Sequence, residues 1–174
     1  MALPVFGKAH EAKAGTDFTW FVYGSSLDAE AFADWSASHG YPPPDFAGAR
    51  PARLAGFRLS FDVVSRHWGG AVASLAEAPG DWVEGLAVPL PGASRGLVEH
   101  KEGAISGLYT ALPVTLEPVG GGAPVAAIAF RAAAGRRLPQ DAAPSPAYLE
   151  ALVRGARRRA LSPEWLARLE KLGR

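Results

Sequence analysis

The sequence has no cysteine among its 174 residues, and this absence excludes several classes of protein. Disulfide scaffolds, thiol-dependent enzymes and cysteine-ligated metal centres are all ruled out. The four histidines, His10, His39, His67 and His100, are scattered along the chain and lack the spacing of metal ligands. We therefore expect no zinc or iron site, and no cofactor.

The chain also lacks an excess of charge of either sign, since its formal net charge is +1. This balance argues against bulk electrostatic binding of nucleic acid or of an anionic membrane. A basic stretch at Arg154 and residues 157–159 has no interleaved aromatic residues, so we expect a solvated helix face there. No apolar run is long enough to span a bilayer, and residues 1–17 lack the layout of a signal peptide. We therefore expect a cytoplasmic protein.

What the sequence does contain is the composition of a globular protein, with 48% apolar and 20% charged residues. A chain of this length commonly forms one domain with a substantial core. We predict an N-terminal arm over residues 1–17, where apolar periodicity is weak, and a single domain over residues 18–174.

Apolar periodicity and turn residues predict a mixed α and β domain with several antiparallel hairpins. Residues 79–81 (Pro-Gly-Asp) and 120–122 (three glycines) have the composition of turns between strands. Ser145 and Ser162 each precede a proline, as expected at the start of a helix. The predicted strands cover residues 19–23, 53–61, 70–75, 83–88, 105–116 and 125–131, and the predicted helices 28–39, 92–102, 145–159 and 162–172.

The stretch FVYGSSL, residues 21–27, reads as a buried strand that enters a small-residue loop before a helix. Backbone N–H groups converge at such a point, and the helix dipole adds positive potential. Residues 24–27 are therefore candidates to hold a carboxylate or an oxyanion. The alternative is an ordinary strand–helix connection.

Glu102 is the candidate for acid/base chemistry, because it lies at a predicted helix end directly before Gly103. The alternative is that Glu99, Lys101 and Glu102 form a solvated helix face. A serine nucleophile at Ser94 is rejected, since prolines interrupt the strand that a nucleophile elbow requires. The pair at residues 67–68, His-Trp, either covers a pocket or forms an exposed hairpin tip.

Six short motifs follow one another over about residues 18–172. They are YGSSL at 23–27, GFRLSF at 56–61, HWGGAVA at 67–73, PGDWVEG at 79–85, EGAISGLY at 102–109 and PSPAY at 144–148. In this order they resemble the γ-glutamylcyclotransferase family. The resemblance implies an α+β fold with a mixed, barrel-like β-sheet flanked by helices.

The resemblance also implies a reaction in which the substrate's own α-amine attacks its γ-glutamyl carbonyl. The products are 5-oxoproline and a free amino acid or amine, and the nucleophile belongs to the substrate. The protein must then orient a small γ-glutamyl molecule and transfer one proton, a role that falls to Glu102 as general acid/base. We expect Glu102 to be partly buried with a raised pKa. The implied substrate-binding residues are Tyr23, Gly24, Ser25, Ser26, Leu27, Tyr109 and Tyr148, although the tyrosines could instead pack in the core.

The sequence departs from the family pattern at three places. Ser26 stands where the family usually has Asn, and Phe130 where some members have a pocket Tyr. Residues 98–99, Val-Glu, replace a frequent Leu-Asp pair. These changes leave the choice of substrate open. The sequence determines neither the leaving group nor whether the chain forms a homodimer. A non-catalytic member that binds a small carboxylate is the alternative function.

Overall fold

The computed structural model describes residues 15–174, so most of the predicted N-terminal arm lies outside the described residues. In these residues no helix is both long and apolar enough to cross a membrane. The strands are β1 (Phe18–Val22), β2 (Arg50–Ser65), β3 (Gly70–Leu90), β4 (Tyr109–Pro118) and β5 (Val125–Ala132), and the helices are α1 (Ala29–Ser38), α2 (Arg95–Lys101), α3 (Pro146–Arg158) and α4 (Pro163–Lys171).

The five strands close into a barrel in the order β1-β3-β2-β4-β5. Neighbouring strands are antiparallel except β1 and β5, which run parallel and meet at Trp20 and Ile128. The core contains Trp20, Leu75 and Leu116, none of which is exposed to solvent. The expected α+β fold, a mixed barrel-like sheet flanked by helices, is therefore confirmed.

The prediction of a turn at residues 79–81 between two strands is wrong, because β3 runs through these residues as one strand. Phe57 of β2 pairs with Glu77, and Ala55 pairs with Trp82, so residues 78–81 lie opposite Gly56 alone. Gly56 and Gly80 adopt φ values of +82° and +87°, which glycine tolerates without strain. The turn-forming residues thus build a bulge inside one continuous strand.

The predicted helix starts at Ser145 and Ser162 are confirmed, since each hydroxyl accepts a hydrogen bond from the backbone N–H three residues later. Ser94 occupies the N-cap of α2 but makes no such bond. The strand predicted from residue 105 begins only at Tyr109, because residues 102–107 form turns after α2.

The sequence predicted a solvated face for the arginines at the end of α3, but several of them contact other parts of the chain. Arg154 forms a salt bridge with the fully buried Asp28, which in turn accepts the backbone N–H of Glu30 at the start of α1. Arg158 pairs with Glu30 at 2.8 Å, and Nε of Arg159 donates to the carbonyl of Leu27 at 3.3 Å. These contacts tie α3 to the turn that follows β1.

Candidate active site

A cavity of about 760 Å³ opens between the turn after β1, the hairpin joining β2 and β3, the end of α2 and the start of α3. Seven of the eight predicted site residues line it, although they come from four separate segments of the chain. These residues are Tyr23, Gly24, Ser25, Ser26, Glu102, Tyr109 and Tyr148.

Leu27 is the predicted residue that does not line the cavity. Its side chain is fully buried against Gly155 of α3. The contact is so close that a Cβ added to Gly155 would lie only 2.9 Å from the Cβ of Leu27. Its backbone N–H donates to the carbonyl of Gly24 at 3.0 Å, which closes a single 3₁₀ turn. Leu27 therefore anchors the turn and has no free N–H for an anion.

Glu102 terminates α2, and its backbone N–H donates to the carbonyl of Val98 at 2.9 Å. Gly103 follows with φ +72°, so the chain turns away and leaves the half-buried carboxylate facing the cavity. Within residues 15–174 this carboxylate has neither a hydrogen bond nor a salt bridge. Burial raises the pKa of Glu102 to about 7, and the positive charge of Lys101 opposes part of that rise.

Two of the tyrosines are held by one residue of β3. The backbone N–H of Ala73 donates to the hydroxyl of Tyr148 at 3.0 Å, and its carbonyl accepts from the hydroxyl of Tyr109 at 2.8 Å. Burial raises the pKa of both phenols, so each is a neutral hydroxyl at physiological pH. The Tyr148 hydroxyl donates to no residue between 15 and 174, and its proton is free for a ligand.

Tyr23 lies at the end of β1, and its buried hydroxyl donates to the carbonyl of Phe130. Phe130 itself is almost wholly buried, so its ring belongs to the core and only its carbonyl takes part in the site. Ser25 and Ser26 also line the cavity, and their hydroxyls bind no other described residue. They add two donors beside those of the tyrosines.

Sequence reasoning missed the wall formed by α1 and the last residue of α2. Trp35 is half-buried and lines the cavity beside Lys101. The Lys101 ammonium lies 5.6 Å from the Trp35 ring centre and 5.7 Å from that of Phe32. His67 and Trp68 also line the cavity, as one of the two interpretations of that pair predicted. The Trp68 ring meets Tyr148 edge-on at 5.4 Å.

The described residues contain no group of three or more His, Asp or Glu side chains arranged to hold a metal ion. The cavity is lined by two carboxylates (Glu102 and Asp34), one ammonium (Lys101), two imidazoles (His39 and His67) and several hydroxyl groups. Such a set can orient a small zwitterion and transfer a proton.

Comparisons with known proteins point to one family of enzymes. A protein from Mus musculus named γ-glutamylcyclotransferase is 25% identical over 95% of this chain and 84% of its own length. Its namesake from Homo sapiens is 27% identical over 89% of this chain and 78% of its own length. A solved structure named γ-glutamyl cyclotransferase superposes with a TM-score of 0.73 at 25% identity, covering 88% of this chain and 86% of that one. No family model matches the chain.

The resemblance to the γ-glutamylcyclotransferase family is confirmed. The relatives support an enzyme of the γ-glutamylcyclotransferase type, and the fold matches that of the solved structure of the same name. Against that background, the departures at Ser26 and Phe130 differ in consequence. Ser26 lines the cavity, whereas the ring of Phe130 is buried in the core.

Proposed function

We propose that this protein is a γ-glutamylcyclotransferase that converts a γ-glutamyl amino acid or amine into 5-oxoproline and the free amino acid or amine. Glu102 is the general acid/base of the reaction. A cytoplasmic location stays a prediction from the sequence, and the oligomeric state stays open.

The observation that carries this proposal is the unpaired carboxylate of Glu102 in a cavity lined by hydroxyl groups. Leaving a carboxylate without a hydrogen-bond partner in a half-buried site is unfavourable, so a purely structural role gives no reason for it. A pKa of about 7 makes the same group both a competent base and a competent acid near neutral pH.

In the proposed reaction the neutral α-amine of the substrate attacks the γ-carbonyl carbon and forms the new C–N bond. The carbonyl oxygen becomes an oxyanion, and the attacking nitrogen carries one proton too many. Glu102 accepts that proton and delivers it to the leaving nitrogen as the old C–N bond breaks. The carboxylate is then restored, and atoms and charges balance without a cofactor.

The neutral donors of the site suit the oxyanion and the glutamyl carboxylate. Ser25, Ser26 and Tyr148 line the cavity, and no described residue accepts a hydrogen bond from their hydroxyl groups. Hydrogen bonds from such fixed donors are worth most where charge develops, and the loss of one costs about 2.7–4 kcal/mol in comparable sites. Because Ala73 holds Tyr148 from the barrel wall, this donor is positioned before substrate binds.

The test is to incubate the protein with γ-glutamyl-alanine and related dipeptides and to measure 5-oxoproline. We expect turnover by the natural sequence and a loss of about 100- to 10,000-fold in kcat for Glu102→Gln. Glu99→Gln is the matched control, because it neutralises a carboxylate of the same helix that does not line the cavity.

Two results would count against the proposal. Absence of 5-oxoproline from a broad γ-glutamyl panel would reject the reaction, and full activity of Glu102→Gln would reject the role of that residue. The alternative of a non-catalytic carboxylate binder is not favoured, because the curated relatives carry the name of an enzyme.

A further inference from the structure

Lys101 is the only lysine or arginine among the described residues that line the cavity. It precedes Glu102 in sequence, and its ammonium lies over the rings of Phe32 and Trp35 on α1. No carboxylate between residues 15 and 174 lies within salt-bridge distance of its ammonium. Asp34, the other acidic residue lining the cavity, is exposed and does not pair with it.

An ammonium held this way is unusual. Burial disfavours the charge of Lys101, and it lowers the pKa of that side chain from its ordinary value. The two aromatic rings and the nearby charge of Glu102 offset that cost only in part. A substrate carboxylate would supply the missing counter-charge.

The proposed substrates differ in how many carboxylates they bring into the cavity. A γ-glutamyl amine has one carboxylate, that of the glutamyl part. A γ-glutamyl amino acid has a second carboxylate, on the carbon next to the leaving nitrogen. Glu102, when ionised, and Asp34 already place negative charge at the cavity, so a second substrate carboxylate is repelled unless a cation lies beside it.

The position of Lys101 in the cavity suits contact with the leaving group better than contact with the glutamyl part of the substrate. The glutamyl part is constant and needs an enclosed site, which the buried Tyr23 and Tyr148 and the turn at residues 24–26 provide. The leaving group varies and needs an open side. Lys101 lies on the α1 side, where Asp34, Ser38 and His39 line the cavity and are exposed to solvent.

We propose that Lys101 forms a carboxylate subsite for the leaving amino acid, so that the enzyme selects γ-glutamyl amino acids over γ-glutamyl amines. This inference rests on the proposed function. It adds a specificity-determining residue on α2 next to the acid/base, and it assigns the variable part of the substrate to the α1 side of the cavity.

The experiment compares γ-glutamyl-alanine with γ-glutamyl-ethylamide, which differ only by the carboxylate of the leaving group. We expect the natural sequence to prefer the alanine substrate by about 10- to 100-fold in kcat/KM, as one charge-assisted hydrogen bond allows. In Lys101→Met this ratio should fall towards one, mainly through KM for the alanine substrate. Lys101→Arg should restore most of the preference.

The ratio is the readout because removing Lys101 also alters the charge around Glu102, and that effect acts on both substrates alike. Lys171→Met is the matched control, since it removes the same charge at an exposed residue of α4 outside the cavity. An unchanged ratio in Lys101→Met, or an equal fall for both substrates, would overturn the subsite.

The results differ if the protein does not catalyse the proposed reaction. If neither substrate yields 5-oxoproline, calorimetric binding of the same two compounds still tests Lys101. Tighter binding of γ-glutamyl-alanine that is lost in Lys101→Met supports the subsite, and equal binding of both compounds refutes it. Thermal unfolding of each variant establishes that it is folded before either measurement.

Discussion

Replacing Glu102 with glutamine should make the protein more stable at pH 8, although it removes the group that we propose transfers the proton. The folded protein raises the pKa of this carboxyl from 4.5 to about 7. Each pKa unit corresponds to about 1.36 kcal/mol of differential stability between the protonated and ionised forms. The ionised form therefore costs the folded state up to ~3 kcal/mol, and about 1–3 kcal/mol once water in the open cavity is considered.

The sign of the effect depends on pH. Below about pH 4.5 the carboxyl is protonated in both the folded and the unfolded chain, so it carries no penalty and resembles the glutamine. As the pH rises from 4.5 through about 7, the unfolded chain releases its proton first, and the folded state loses relative stability. The advantage of Glu102→Gln should thus be near zero at pH 4 and reach its full value at pH 8.

Urea unfolding at pH 4 and pH 8 measures this difference directly, with the slope m compared to establish that the transition is unchanged. Glu84→Gln is the matched control, because Glu84 is also buried but accepts hydrogen bonds from the Ser162 N–H at 2.7 Å and hydroxyl at 2.6 Å. It should lose about 1–3 kcal/mol at pH 8. If Glu102→Gln is also less stable at pH 8, the carboxylate has a partner in solution and the reasoning about its pKa is wrong.

Two further predictions concern the pH profile and the barrel. For γ-glutamyl-alanine, kcat/KM should rise about tenfold per pH unit up to about pH 7, because Glu102 is converted to its carboxylate form over that range. A pH–rate profile that does not level off near pH 7 would contradict the role of Glu102 as base. Gly85→Ala should destabilise the fold by about 1–3 kcal/mol or more, because its Cβ would lie 2.2 Å from the carbonyl oxygen of Val22. Gly96→Ala, with no atom within 4 Å of its Cβ, should instead stabilise α2 by about 0.5–1 kcal/mol, and chemical denaturation of both variants tests the pair.

The local parts of the site could be predicted because each depends on a few neighbouring residues. A strand that ends in small residues before Asp28 specifies the turn, since Asp28 caps α1 whatever the rest of the chain does. Gly103 ends α2 and exposes Glu102 for a similarly local reason. Ser145 fixes the start of α3, and with it the place of Tyr148 one turn later.

The remaining features depend on how separate segments pack. Residues 79–81 have the same composition in a hairpin turn as in a bulge, and only the pairing of β3 with β2 decides between them. The role of Lys101 depends on α1 lying against the end of α2, and an amphipathic pattern on either helix does not reveal that contact. For the same reason, the spacing of Trp35 from Phe32 shows a shared apolar face but not a neighbouring cavity.

The cavity exists where the barrel leaves one strand edge without a neighbour. Strand β1 pairs with β3 only over residues 86–90, so the other end of β3 has free backbone groups on that side. Ala71 satisfies its N–H with the carbonyl of Ala143, and Ala73 binds the hydroxyls of Tyr109 and Tyr148. An uncovered edge would otherwise leave buried polar groups unpaired. The hydrogen bonds that satisfy this strand edge therefore also position Tyr109 and Tyr148. Because they use only the backbone of Ala73, no side-chain motif in the sequence can indicate them.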